Sequence, residues 1–195
     1  MGMLDSLGLR KLNPAQPRIS QAEGIQDASY KSVPFERAFE HLEVVNRGVN
    51  MIVDAASQIG VDVGDKEAFP GIATVRHKKL VTLLNRQPNP FQNADAFRRQ
   101  LFLDMMIDGN CFIYYDGAHL YHLPASDMVI VPHKKTFIKG YEYGDIKYKP
   151  EEVIHIQDNS SKSIYRGTSR MIAARDSINL LNNMRDFQAT FFENG

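Results

Sequence analysis

Between Met171 and Phe191 the chain places apolar residues at steps of three or four. Met171, Ala174, Ile178, Leu181, Met184, Phe187 and Phe191 fall on one face of an α-helix. Arg175, Asn179, Asn182 and Asp186 form a polar stripe elsewhere on the same cylinder. Gly195 stands where a C-cap glycine stands. Most helical stability comes from packing an amphipathic face, so a rod of this length needs something to lie against. The candidates are earlier elements, a neighbouring subunit, or chain beyond Gly195. The expectation is that the last two apply.

The rest of the chain divides by composition. Residues 1 to 31 carry Pro14, Pro17 and Gly24 among Gln and Ser and offer little to bury, which predicts a flexible arm. Pro34 opens a helix predicted over 35 to 58, with Phe39, Leu42, Val45, Val49, Ile52 and Ala56 inward. Val61, Val63, Ile72 and Val75 predict short strands around Gly64-Asp65. A short helix follows over 78 to 85, then the rigid connector Arg86-Gln87-Pro88-Asn89-Pro90. Asn93 is a good N-cap for a helix over 94 to 108, which Gly109 breaks. Cys111 to Tyr115 and Leu120 to Leu123 read as a hairpin about Asp116-Gly117. From 128 to 156 the chain is strand-rich and punctuated by Gly140, Gly144-Asp145 and Pro150. A polar loop leads to Thr168 or Ser169, the predicted cap of the last helix. Helices and strands come in blocks, which predicts an α+β fold with a small mixed or antiparallel β-meander. The regions are an arm over 1–31, a helical region over 32–108, a β-rich segment over 109–157, and a polar loop with the long helix over 158–195.

Chemistry is harder to find. The formal net charge is +0, so no whole-chain attraction to nucleic acid exists. One cysteine excludes an internal disulfide. No segment approaches the roughly 20 apolar residues that span a bilayer. The expectation is a soluble protein with no membrane partner, and the Gly2–Ser6 pattern is too short to argue for lipidation. Cys111 with His119 or His122 lacks the spacing of a zinc site. Asp104 and Asp108 are i and i+4 on a helix and could face a cation, although solvent or a basic partner explains them as well. Gly167-Thr168-Ser169 opens a helix without the lysine of a phosphate loop. No cofactor and no catalytic constellation is expected. Lys134, Lys135, Lys139, Lys147 and Lys149 are interleaved with Phe137, Tyr141, Tyr143 and Tyr148. That mixture fits a half-solvated sheet, and also a small nucleic-acid-binding module over 133–149.

Several segments together resemble one family. Leu83-Leu84-Asn85-Arg86-Gln87-Pro88-Asn89-Pro90, Phe97, and Asp108-Gly109-Asn110 before Cys111-Phe112-Ile113-Tyr114 are similar to a passage of tailed-bacteriophage portal proteins. So are Leu120-Tyr121-His122-Leu123-Pro124 and Glu151-Glu152-Val153-Ile154-His155-Ile156. Gly167-Thr168-Ser169-Arg170 and the ending Phe191-Phe192-Glu193-Asn194-Gly195 match the "G.S" and "F.NG" passages around a long helix. The resemblance covers about residues 35 to 195 and implies the N-terminal half of a portal of long-tailed phages, with wing, stem and clip elements and the C-terminal half absent. It implies a structural protein, not an enzyme. Copies would form a ring, usually of twelve, at one capsid vertex of the virion, after assembly in the host cytoplasm. Double-stranded DNA would pass through the ring non-specifically. Terminase large subunit, head-tail adaptor and major capsid protein would be its partners. On that footing Arg175, Asn179, Asn182 and Asp186 are expected to face the channel or the next subunit. The segment 128 to 156 is a possible clip, with its lysines touching terminase, adaptor or DNA.

Overall fold

Pro34 sits at the N-cap of α1 (Phe35–His41), where its missing N–H removes no helical bond. The computed structural model describes residues 32–61 and 78–193. The single helix expected over 35 to 58 is broken: α1 ends at Leu42, whose backbone is extended, and α2 (Glu43–Ser57) starts after it. The break is tolerated because Asn46 Nδ2 donates to the Phe39 carbonyl at 3.0 Å, a carbonyl the interrupted helix would have satisfied itself. The inward face of α2 is also rotated from expectation. Val49 and Val53 are buried, while Ile52 is exposed.

Next come α3 (Lys78–Asn85) and α4 (Ala94–Ile107). Asn93 caps α4 by accepting from the Ala96 N–H at 2.8 Å. Asn93→Ala is therefore expected to destabilise the chain by about 1 kcal/mol in denaturant unfolding. The expected strands Val63 and beyond, the Gly64-Asp65 turn, Ile72, Val75 and the arm over 1–31 lie outside the described residues.

Among the described residues six strands make two three-stranded antiparallel sheets. In the first, β1 (Asn110–Tyr115) lies between β2 (Leu120–Leu123) and β6 (Val153–Gln157). In the second, β4 (Phe137–Tyr143) lies between β3 (Met128–His133) and β5 (Ile146–Tyr148). The fold is thus α+β, as expected, but the strand at 153–156 leaves the meander and pairs with β1. Its register places Phe112 opposite His155 and Ile113 opposite Ile154. The register of β3 against β4 shifts between Val131 and Pro132, where proline cannot donate to the ladder.

Central strand β1 is buried on both faces, which explains its unbroken apolar run. Phe112 joins a core drawn from both sheets with Leu123, Met128, Ile130, Tyr141 and Val153. Ile113 faces the other way, toward Leu83, Phe97 and Leu120. A third core packs α1, α2 and α4 around Ala38, Val49, Val53 and Ile107, and receives Met171 and Ile178. Ser169 caps a 3-10 turn (Arg170–Ala174) by accepting from the Met171 N–H, and α5 (Arg175–Glu193) continues from it.

Candidate functional site

The two glycine segments that open β1 and α5 meet face to face. Gly109 has φ of +82°, a conformation open chiefly to glycine. A Cβ there would stand 2.4 Å from the Thr168 carbonyl carbon, and one on Gly167 would stand 2.2 Å from the Gly109 carbonyl oxygen. The Gly109 carbonyl accepts from the Asp158 N–H at 2.8 Å. Asn110, fully buried, accepts the Gly167 N–H on Oδ1 at 2.7 Å. Ser169 Oγ reaches the Met106 carbonyl at 2.9 Å. This latch ties the end of α4, the start of β1 and the entry to α5 into one unit.

Its charge is internal. Arg166 Nη2 donates to Asp108 Oδ1 at 2.7 Å and to the Ala125 carbonyl at 2.9 Å, and Nη1 donates to the Met128 carbonyl at 3.0 Å. Both side chains are buried. Burial pushes the Asp108 carboxyl above its ordinary range, against the pull of Arg166 and Asn110. Next to this pair His155 stacks on Phe112 with ring centroids 4.2 Å apart and bonds Asn110 Oδ1 through Nε2 at 3.1 Å. Burial, then the Arg166 charge, lowers its pKa to about 4. The folded pKa lies below that of a free imidazole, so the unfolded chain takes up a proton first as pH falls. Stability from His155 is present above about pH 6.5 and is lost as pH falls toward about 4. Asp108 contributes with the opposite sign at the acid end. A His155→Gln variant should therefore lose about 1–3 kcal/mol less than the native chain between pH 7 and 4.5, by urea unfolding at each pH.

Other candidate groups are also built into the fold. Asp104 Oδ2 accepts from the Ala125 N–H and bonds His122 Nε2, both at 2.8 Å. Burial pushes the Cys111 thiol up to about 12, the reverse of an activated nucleophile. Asn89 donates to the Leu120 carbonyl at 2.9 Å, tying the proline connector to β2. Among the described residues no group of three His, Cys, Asp or Glu side chains could hold a metal ion. No helix among them is long and apolar enough to cross a membrane.

The polar stripe of α5 divides. Arg175 Nη1 donates to Ser32 Oγ at 3.2 Å and its guanidinium lies 4.8 Å from the centroid of the Phe35 ring. Asn179 Oδ1 accepts the Val33 N–H at 3.0 Å. These two hold the entry to α1. Asn182 instead donates to Asp186 at 2.9 Å on the outer surface. The apolar stripe also runs out of partners. Ile178 is 4% exposed, whereas Phe187 is 71% and Phe191 65% exposed.

The lysines gather at the β3–β4 hairpin. Lys134 and Lys135 form its turn, Lys139 follows in β4, and Lys149 comes just after β5; all four are exposed. Lys147, also exposed, sits 3.9 Å from Glu142. Phe137 has φ of +64° and the Ile138 N–H donates to the Thr136 carbonyl at 2.7 Å, a γ-turn of the rare positive-φ kind. Holding a phenylalanine so is unfavourable by about 1–3 kcal/mol. His133 Nδ1 accepts the Thr136 N–H at 3.2 Å, and Thr136 Oγ1 donates to the Ile138 carbonyl at 3.1 Å, which fixes the turn.

Sequence reasoning gave Arg166 no role, placed His155 only within the Glu151–Ile156 passage, and read Asp108 as facing a cation, solvent or a basic partner. Asp108 and Arg166 carried one sequence signal, their places next to Gly109 and Gly167, since burial of a polar side chain leaves no periodic trace.

Comparison with known proteins agrees with this architecture. The family model described as Phage portal protein matches residues 43–195. The portal protein of Escherichia phage T5 is 36% identical over 193 residues, which are 95% of this chain and 48% of that protein. In fold, the chain is similar to one in the neck of the empty GTA particle computed with C6 symmetry. The TM-score is 0.70 at 20% identity, over 90% of this chain and 52% of that one. A chain in the neck of the native GTA particle computed with C12 symmetry gives 0.69 at 20% identity, over 93% and 48%. The chain thus spans about half the length of these relatives. A family model over residues 43–195 and 36% identity to a portal protein over 95% of the chain converge on one assignment: the chain belongs to the phage portal protein family.

Proposed function

We propose that the whole protein closes into a ring at one vertex of a phage head and acts as a channel for double-stranded DNA. The ring would also be the platform on which terminase large subunit and the head-tail adaptor dock, within a shell of major capsid protein. In this reading the protein is structural and hydrolyses nothing. The observation that carries it is the distal half of α5, where Met184, Phe187, Phe191 and Phe192 are all exposed on one helix. Contiguous apolar surface of that kind marks an interaction face. Cyclic rings are built from heterologous contacts, in which one face of a subunit meets a different face of the next. Asn182 and Asp186, outside the bonds that hold Arg175 and Asn179, are then the polar members of the stripe free to face the channel or the neighbour. DNA that must slide wants weak phosphate contacts repeated around the ring, and a neutral chain with local basic spots suits that.

The test is self-association of the full-length protein by light scattering and electron microscopy. Rings are expected, and Phe187→Glu with Met184→Glu should shift the population toward single subunits. A full-length protein that stays monomeric at high concentration would overturn the reading.

A further inference from the structure

Strand β4 carries one residue more than β3 can pair. Val131 stands opposite Gly140 and Pro132 opposite Ile138, so Lys139 has no residue across from it. A bulge of this kind re-aims the side chain it carries. Lys139 lines an open cleft of about 530 Å³ together with His133, Thr136, Ile138, Tyr141 and Pro150. That volume lies in the range that holds small organic ligands. The lining is chemically one-sided, because none of the six residues carries a carboxylate. Glu152, close by in sequence, accepts the Lys149 N–H at 2.7 Å and is spent on its own turn. Lys139 and Lys149 make no ion pair among the described residues, whereas Lys147 has Glu142 at 3.9 Å. His133 Nδ1 accepts the Thr136 N–H at 3.2 Å, so the neutral ring carries its proton on Nε2, which is left as a donor. Tyr141 is 5% exposed, and its hydroxyl has no hydrogen-bond partner among the described residues. A buried tyrosine hydroxyl ordinarily finds one.

Three unspent donors thus share a cleft whose remaining wall is the apolar surface of Ile138 and Pro150. A ligand that uses all of it has an anionic end and a flat, uncharged body. Inorganic phosphate would use the donors and leave the apolar wall bare. Duplex DNA presents its phosphates outward and keeps its bases stacked inside, so it would reach Lys139 without covering Ile138 or Pro150. We propose that this cleft binds a free nucleoside monophosphate. Its phosphate meets Lys139 and His133 Nε2, its base lies against Ile138 and Pro150, and the Tyr141 hydroxyl donates to the base or sugar. The site stands apart from ring closure and from the channel.

Isothermal titration of the full-length protein with adenosine monophosphate (AMP), adenosine, inorganic phosphate and a short blunt DNA duplex tests the proposal. AMP should saturate one site per subunit and bind about tenfold or more tightly than adenosine or phosphate, since only AMP fills both halves of the cleft. Lys139→Met should weaken AMP binding about tenfold or more, as loss of a charge-assisted bond. Tyr141→Phe should weaken it by about three- to tenfold, as loss of one neutral hydrogen bond. The Tyr141 ring stays in the core in that variant and its hydroxyl bonds nothing in the fold, so the thermal midpoint should hold or rise. A fall in binding without a fall in stability separates a ligand contact from a structural role. The proposal is overturned if AMP shows no saturable binding, or if inorganic phosphate binds as tightly as AMP. It is equally overturned if Tyr141→Phe binds AMP as the native chain does. Duplex binding that falls in Lys139→Met while AMP binding persists would reassign Lys139 to a backbone contact and overturn it as well.

Discussion

Alanine at Gly167 is expected to destabilise the chain by about 3–5 kcal/mol, enough to unfold it or uncouple α5 from the rest. The added methyl would meet the Gly109 carbonyl oxygen at 2.2 Å and the Asp158 N and O at 2.6 and 2.7 Å. All three are backbone atoms, so no side chain can swing away. Relief requires moving β1 or the loop that leaves β6, and both are hydrogen-bonded at that point. Gly109→Ala should be as severe, because it combines a 2.4 Å approach to Thr168 with a φ of +82°. Gly117 is the control. Its φ is +95° but nothing lies within 4 Å of its Cβ position, so alanine there should lose only about 1 kcal/mol. Helical Gly48 also has open space, and Gly48→Ala should stabilise by about 0.5–1 kcal/mol. Denaturant midpoints followed by far-UV circular dichroism give the order directly. A Gly167→Ala variant as stable as the native chain would show that the two segments do not pack as described.

Arg166→Met should be the next most damaging change, at about 3–5 kcal/mol near neutral pH. Three acceptors lose a donor at once: Asp108 Oδ1 and the Ala125 and Met128 carbonyls. What remains is a buried carboxylate supported only by Asn110. Burial already raises the Asp108 pKa with Arg166 present, so without it the acid will protonate readily. Two consequences distinguish this from simple loss of packing. The penalty of Arg166→Met should shrink as pH is lowered, because the unpaired charge is then neutralised. Adding Asp108→Asn should recover part of the loss, giving a coupling in a double-mutant cycle. Additive losses that are independent of pH would mean the pair carries no special weight.

The periodic parts of the fold were legible in the sequence. The final helix, Asn93 as the cap of α4, the hairpin after Gly109 and the α+β class follow from spacing and from turn residues. Where two solutions share one pattern, the sequence was silent. On α2 the residues Ile52 and Val53 are equally apolar, and only the position of α4 selects Val53. The strand at 153–156 satisfies a meander as well as it satisfies β1, and long-range pairing decides between them.

The lysines at the hairpin and the two stripes of α5 were visible as patterns, but their division was not. Arg175 and Asn179 turn toward residues 32–35 because α1 begins there, a contact spanning more than 140 positions in the chain. Local propensity and hydrophobic period depend on near neighbours, so the sequence by itself determined which segments are helix or strand and which family they belong to. Buried polar partnerships such as Asp108–Arg166, the contact of Gly109 with Gly167, and the strained turn at Phe137 depend on distant segments brought together by packing. Those were decided by the tertiary structure alone.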